Sequence, residues 1–293
     1  FALLFCFTYS CNAKGKDKAK HVVFIGLDGW GAYSLPKADM PNVKKLMEDG
    51  SYTLKKRSAL PSSSAINWAS MFMGAGPELH GYTEWGSKTP ELPSRVLNKN
   101  GIFPTVFQLL RDARPEAEIG CLYEWEGIKY LVDTLSLNYH YHVADCNKTP
   151  KELGNMASAY IKEKHPALVA ICYDGPDHTG HTEGHDTPAY YEKLKELDIY
   201  VGQIVQAVKD AGILDDTIFI LTSDHGGIDK GHGGKTMQEM ETAFIISGKN
   251  IKKGLRFDDI SMMQYDVAST IASIFNLEQP QVWIGRPMKI VFK

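Results

Sequence analysis

The 293-residue chain is long enough for one large domain or two small ones, and 43% apolar residues suffice for a substantial core. A formal charge of −3 argues against a general nucleic-acid-binding surface. It does not exclude a local positive site, because bound metal ions would add charge that this count omits.

The first residue is Phe rather than Met, so the chain is expected to begin inside a longer product. Residues 1–20, FALLFCFTYSCNAKGKDKAK, are apolar at first and then lysine-rich. The apolar part is too short to span a bilayer and reads as an export signal that has lost its basic front. Ser10-Cys11-Asn12 resembles the cleavage and lipidation site of bacterial lipoproteins, although Tyr9 is bulky for that role. The expectation is an exported bacterial protein, periplasmic or anchored at the envelope by lipid on Cys11. A buried N-terminal strand is the alternative.

Beyond residue 20, continuous apolar runs cover Val22–Leu27, Ile119–Tyr123, Ala167–Tyr173, Thr217–Leu221 and Ala243–Ile246. Runs apolar on both faces and rich in Val and Ile predict central strands of a parallel sheet covered by helices. Helical signals lie between them. Thr149-Pro150-Lys151-Glu152 reads as a capping box with Pro at the first helical position. Thr187-Pro188 opens a second helix, with Leu194, Leu197, Val201, Ile204 and Val208 on one face and Gly212 as its stop. Val267, Ile271, Ile274 and Phe275 form a last stripe. With no repeat or low-complexity linker after residue 20, residues 21–293 read as one α/β domain, a mostly parallel central sheet with helices on both faces. Cys121 and Cys172 fall in strand-like runs and read as buried small hydrophobes, whereas Cys146 sits in a polar loop. No Cys-x-x-Cys spacing points to thiolate zinc sites.

Chemistry concentrates where strands end. Asp28 follows the first run, Asp174 and Asp177 the third, and Asp224-His225 the fourth. In open α/β sheets ligands collect beyond the carboxyl ends of strands, so these distant acids are expected at one edge. The segments PDHTGH (176–181), SDHGG (223–227) and GHGG (231–234) pair Asp and His with glycine. Asp and neutral His suit zinc and similar divalent ions. The joint pattern points to two metals, the usual apparatus for displacement at phosphorus. Each segment alone also fits an ordinary turn, cap or solvated histidine, and local spacing leaves Asp174 and His178 competing with Asp177 and His181. Upstream, Ser62, Ser63 and Ser64 precede a helix that stops near Gly74. A helix N-terminus favours an anionic oxygen, so a hydroxyl there is prepared for attack; capping is the plainer role. Asn67, one turn on, reads as a donor to a phosphoryl oxygen.

The string from Ser64 through Asn67 and Gly74 to Pro77-Glu78-Leu79-His80-Gly81 resembles the nucleophile segment of the alkaline phosphatase superfamily, nearest its nucleotide pyrophosphatase/phosphodiesterase branch. The likeness extends from His21 to about Met288 and includes Pro41–Leu46 and Tyr265–Thr270. It implies an alkaline-phosphatase-like fold, Ser64 as nucleophile and two divalent ions, zinc foremost. One ion would be held by Asp177, His181 and His232. The other would be held by Asp28, Asp224, His225 and the Ser64 oxygen. The branch commonly has Pro where this chain has His185, which makes His185 a candidate substrate contact at the rim.

The expected reaction is hydrolysis of a small phosphate ester through a phosphoserine intermediate, with no nucleic-acid polymer as partner. Trp30, Tyr82 and Trp85 could wall a slot for the second ester group of a diester. A monoesterase would need extra positive charge, for which Lys88, Lys230 and Lys235 are at hand. A sulfatase is disfavoured because Cys/Ser-x-Pro-x-Arg is missing around Ser62–Asn67. A phosphoethanolamine-type transferase and a non-catalytic exported binding protein are the remaining alternatives.

Overall fold

The structure is a computed structural model that describes residues 17–144 and 150–293. Among them an eight-stranded sheet runs in the order β4-β3-β5-β1-β6-β7-β2-β8. The strands are β1 (His21–Leu27), β2 (Gly50–Arg57), β3 (Ile119–Tyr123), β4 (Tyr139–His142), β5 (Leu168–Tyr173), β6 (Thr217–Thr222), β7 (Glu241–Gly248) and β8 (Leu255–Arg256). From β4 to β6 every pairing is parallel; β7 is antiparallel to both β6 and β2. The mostly parallel sheet expected from the apolar runs is therefore present, but the run Ala243–Ile246 lies in an antiparallel strand. The return has a consequence for the site. The chain leaves β6 and re-enters at β7 on the same sheet edge, so the connecting loop stays there with the SDHGG and GHGG segments.

Helices cover both faces, as alternation within the strands requires. Val22 and Phe24 of β1 face one core, whereas Val23, Ile25 and Leu27 face the other. The first core is closed by α2 (Ser64–Met73), α4 (Val106–Ala113) and α9 (Asp266–Ile274). The second is closed by α1 (Pro41–Glu48), α5 (Pro150–Lys164) and α7 (Pro188–Asp210). The remaining helices are α3 (Pro77–His80), α6 (Gly175–Glu183) and α8 (Met237–Met240). Thr187 caps α7 by accepting from Tyr190 N, with Pro188 in the first turn. None of the helices in the described residues is long and apolar enough to cross a membrane.

Residues 17–20, expected to belong to a leader and tether, pack on the domain. Asp17 pairs with Arg114, Lys18 Nζ donates to Ser273 O, and Ala19 is buried in the first core. Cys11, Cys146 and the capping residue Thr149 lie outside the described residues. Cys121 and Cys172 are buried free thiols, as read from the sequence.

Candidate active site

Three carboxylates meet at the edge formed by the C-terminal ends of β1, β5 and β6. Asp28 directly follows β1, Asp224 follows β6 by one residue, and Asp177 sits in the first turn of α6 after β5. Gly29 lets them close. It has φ 67°, and a Cβ there would stand 2.7 Å from Asp177 Oδ1. His225 Nε2 lies 3.4 Å from Asp28 Oδ1 and 3.3 Å from Asp224 Oδ2. His181 Nε2 lies 3.2 Å from Asp177 Oδ2, and His232 Nε2 3.7 Å from Asp177 Oδ1. The rings of His225 and His232 stack with centroids 3.8 Å apart.

Each of these three histidines is oriented from behind. His225 Nδ1 is 2.7 Å from Gly226 O, His181 Nδ1 2.9 Å from Lys230 O, and His232 Nδ1 3.1 Å from Ser62 O. A carbonyl can only accept, so Nδ1 carries a proton in each. In neutral His225 and His232 the Nε2 lone pair therefore faces the centre, the tautomer a metal ligand needs, whereas His181 also carries a proton on Nε2, directed at Asp177, which a metal ion would displace. Asp28 Oδ1, Asp177 Oδ1 and Asp224 Oδ2 are buried and have no hydrogen-bond partner among the described residues. Unpaired buried carboxylate oxygens are costly, and a divalent cation is the partner that their geometry fits. Two groups have ligand atoms close enough to share an ion: Asp177, His181 and His232, and Asp28, Asp177 and His225. Asp177 belongs to both; Asp174, His178 and Asp224 belong to neither, although Asp224 Oδ2 lies 3.3 Å from His225 Nε2.

The electrostatics describe the same excess of negative charge. Burial, then the charges of Asp224 and Asp177, push Asp28 well above the usual carboxylate range. Burial and the Asp177 charge push Asp224 up to about 7. Burial works against ionised Asp177 as well, but the hydrogen bond from His181 and the neighbouring histidines outweigh it and hold Asp177 low. His181 rises to about 9, chiefly through that hydrogen bond. Burial lowers His225 and His232 and so favours the neutral, ligating form.

Ser64 opens α2, and its Oγ lies 3.1 Å from His225 Nε2. Ser63 holds the N-cap position without a side-chain capping bond, which leaves the Ser64 hydroxyl free of that duty. Two supports escaped the sequence reading. Trp68, one turn along α2, donates its indole N–H to Asp28 Oδ2 at 2.8 Å. Lys56, fully buried in β2, donates to Ser223 O at 2.7 Å and to Gln264 Oε1. Gln264 Nε2 in turn donates to Asp224 O, which also accepts from Ser58 Oγ at 2.7 Å. The signal for Trp68 was its spacing of four from Ser64 on one helix face.

Residues 22–244 match the family model described as type I phosphodiesterase / nucleotide pyrophosphatase. The chain belongs to that family. Among curated relatives of this phosphodiesterase-family chain, "Bis(5'-adenosyl)-triphosphatase enpp4" of Mus musculus is 26% identical over 72% of the chain and 48% of the relative. "GPI ethanolamine phosphate transferase 3" of Schizosaccharomyces pombe is 30% identical over 41% of the chain and 13% of the relative. The chain thus spans about half the length of the triphosphatase relatives that it matches. Among solved structures, murine ectonucleotide pyrophosphatase / phosphodiesterase 5 superposes with a TM-score of 0.71 at 14% identity, covering 89% of this chain and 96% of that one. A 2-O GAG sulfatase superposes with a TM-score of 0.73 at 14% identity, covering 92% and 73%. At that identity the likeness is one of fold.

Four expected substrate contacts of this phosphodiesterase-family chain are differently employed. Asn67 is fully buried: its Oδ1 accepts from Ala59 N at 2.7 Å, and its Nδ2 donates to Ala59 O, Pro61 O and Ser63 O. Its amide pins the serine loop to α2 and leaves no donor for a phosphoryl oxygen. Trp30 is 0% exposed in the second core, and Tyr82 is 3% exposed in the first with its hydroxyl donating to Tyr130 O. Both are packing aromatics. His185 is buried rather than at the rim. Trp85 alone of the proposed slot is open, at 68% exposure, and its carbonyl accepts from Ala65 N at the start of α2.

Proposed function

We propose that this protein is a metal-dependent hydrolase of small phosphodiesters in which Ser64 attacks phosphorus. The observation that carries the proposal is the seat of Ser64, whose Oγ stands 3.1 Å from His225 Nε2 at the start of α2. Asp177, His181 and His232 would hold one divalent ion; Asp28, Asp224, His225 and the Ser64 oxygen would hold the other. Two such ions, zinc being well suited to these ligands, would stabilise charge on the attacking and leaving oxygens.

In the first step Ser64 Oγ gives up its proton to solvent and forms a bond to phosphorus while the bond to the leaving oxygen breaks in line, that oxygen taking a proton to depart as the alcohol. In the second, water displaces Ser64 from phosphorus and restores its hydroxyl. Two inversions give net retention. The N-terminus of α2 aims its positive end at the phosphoryl group throughout, and Asn67 keeps the loop that carries Ser64 in place.

Three features support a diester over a monoester. Trp85 offers an exposed aromatic face near the start of α2. Of the three candidate lysines, Lys230 Nζ is turned back to Thr182 O and Lys88 lies over the Tyr130 ring, which leaves exposed Lys235 for extra phosphate charge. The triphosphatase named among the relatives acts, by its name, on a phosphoanhydride flanked by two nucleosides. A nucleotide-like phosphodiester or phosphoanhydride is accordingly the favoured substrate class. A second reading has one observation in its favour, the match to an ethanolamine phosphate transferase: an alcohol would replace water in the second step. The chain is further proposed to be exported, with lipid on Cys11; mass analysis of the mature N-terminus from membrane and soluble fractions tests this.

The deciding experiment compares bis-p-nitrophenyl phosphate with p-nitrophenyl phosphate, with and without chelator. Chelator-sensitive turnover, faster on the diester, is expected. Ser64→Ala should lower kcat by roughly a thousandfold or more and still bind metal; wild-type turnover in that variant would remove the mechanism. Product diverted to an added alcohol would favour the transferase. No turnover of either ester by metal-replete protein would favour a binding protein.

A further inference from the structure

We propose that His185 is a positioning residue for Asp177, holding that carboxylate in the orientation its share of the centre requires. The inference rests on the metal-centre reading above. His185 follows Gly184, whose φ of 100° turns the chain after α6, and its backbone N–H donates to Asp229 O at 2.6 Å. The side chain is 0% exposed. Its ring fills a slot that two other segments keep open. A Cβ on Gly180 would stand 2.3 Å from the ring, and one on Gly227 would stand 2.2 Å from it. Gly180 lies between Asp177 and His181, and Gly227 lies two residues after His225. Both ligand-bearing segments therefore carry glycine at the point where this imidazole wedges between them.

Neither ring nitrogen has a hydrogen-bond partner among the described residues. Nε2 faces Asp177 Oδ1 at 3.9 Å, and that oxygen is likewise unpartnered. A buried donor and a buried acceptor, neither in a hydrogen bond, stand about 1 Å beyond hydrogen-bond range; His232 Nε2 is nearer to the same oxygen, at 3.7 Å, but with its proton on Nδ1 toward Ser62 O it has no hydrogen to donate there. Rotation of the carboxylate on α6 is the motion that would close the gap. Asp177 Oδ2 is already set against His181, so a donor on Oδ1 would fix the second oxygen and with it the plane of the group. Carboxylate ligands are commonly steadied in this way by a hydrogen bond from behind. A role as metal ligand fits less well: Asp177, His181 and His232 make a three-ligand set with an open position, and a fourth protein ligand would close it.

The test uses the full chain, freed of metal and titrated with Co2+ and, by competition, with Zn2+. His185→Phe fills the slot without a donor; His185→Gln restores one. The metal-free Phe variant should melt close to wild type. Its affinity for one of the two ions should fall about 10- to 100-fold, with the Co2+ absorption bands unchanged in shape at saturation. The Gln variant should recover most of the loss. Wild-type affinity in His185→Phe would reduce the residue to a filler. Altered band shape would make it a ligand; either outcome overturns the proposal. Imidazole 15N–1H spectra of the unsubstituted protein test it without any variant, since a slowly exchanging Nε2–H on His185 is expected and its absence refutes the assignment. Wild-type protein that takes up no Co2+ would instead sink the metal-centre reading.

Discussion

The two halves of the candidate centre are built differently. Asp28, Asp224 and His225 have side chains 3%, 0% and 0% exposed and sit on or just beyond strand ends. Asp177, His181 and His232 are 11%, 46% and 9% exposed and are carried by a short helix and a loop. The inner half is gripped on every side. Trp68 holds Asp28, Gly29 N donates to Asp224 Oδ1, and Lys56, Gln264 and Ser58 secure the carbonyls of Ser223 and Asp224. The outer half is steadied mainly through the carbonyls behind His181 and His232. Rigidly pre-formed ligands bind with little reorganisation, whereas a helix and loop can open to solvent. An inner ion that is retained and an outer ion that exchanges is the expected consequence.

Substituting one acid in each half breaks the comparison most severely. Asp224→Asn should cost the inner ion, and with it the setting of Ser64, so that diesterase turnover falls by roughly three orders of magnitude or more. Asp177→Asn should release the outer ion first and, because Asp177 reaches both groups, weaken the inner one as well. Metal content after dialysis, read by elemental analysis, separates the two. Equal loss of both ions from either variant would mean that the halves are one cooperative site.

Lys56 sharpens the same contrast at smaller cost. Lys56→Met removes donors from Ser223 O and Gln264 Oε1 but leaves Gln264 and Ser58 on Asp224 O. If the Lys56 side chain acts by positioning, affinity for the inner ion should fall about tenfold, with the outer ion untouched. Burial pushes the Lys56 amine well below the usual lysine range, although the Asp224 charge opposes that shift; a Lys56 that kept its charge would predict the reverse, because removing a cation beside Asp224 should tighten metal binding. Isothermal titration of the metal-free variant decides, and tighter inner binding would discard the positioning role.

The same contrast marks what could be read from the chain. β1, β5 and β6 were legible because burial on both faces leaves uninterrupted Val and Ile. Their ends then named Asp28, Asp224 and His225. β2 was not legible, since Lys55, Lys56 and Arg57 interrupt any apolar pattern, and Lys56 turns inward where the pairing with β7 shifts register. β4 and β8 lie at the sheet edges and are short. The direction of β7 was misread because an apolar run does not report its polarity. Among site residues, spacing could bring Asp177 and His181 onto one face of α6. It could not tell that Asn67 spends its amide on the loop before it, or that Trp30 and Tyr82 face the cores. Aromatic residues near a site look alike in sequence whether they wall it or support it.

Trp85 gives the smallest and most local test. It is exposed, and its tie to α2 runs through its backbone carbonyl, so Trp85→Ala should leave folding and both ions unchanged. An aromatic stack contributes about 0.5–1.5 kcal/mol beyond its area, which corresponds to roughly a two- to tenfold rise in KM for diesters with an aromatic group. Methyl esters of the same phosphate should be unaffected, and kcat should hold for both. An equal loss on methyl and aromatic esters would assign the effect to the start of α2 rather than to the ring. That result would move the search for the specificity surface to Leu60, which stands half exposed two residues before Ser62.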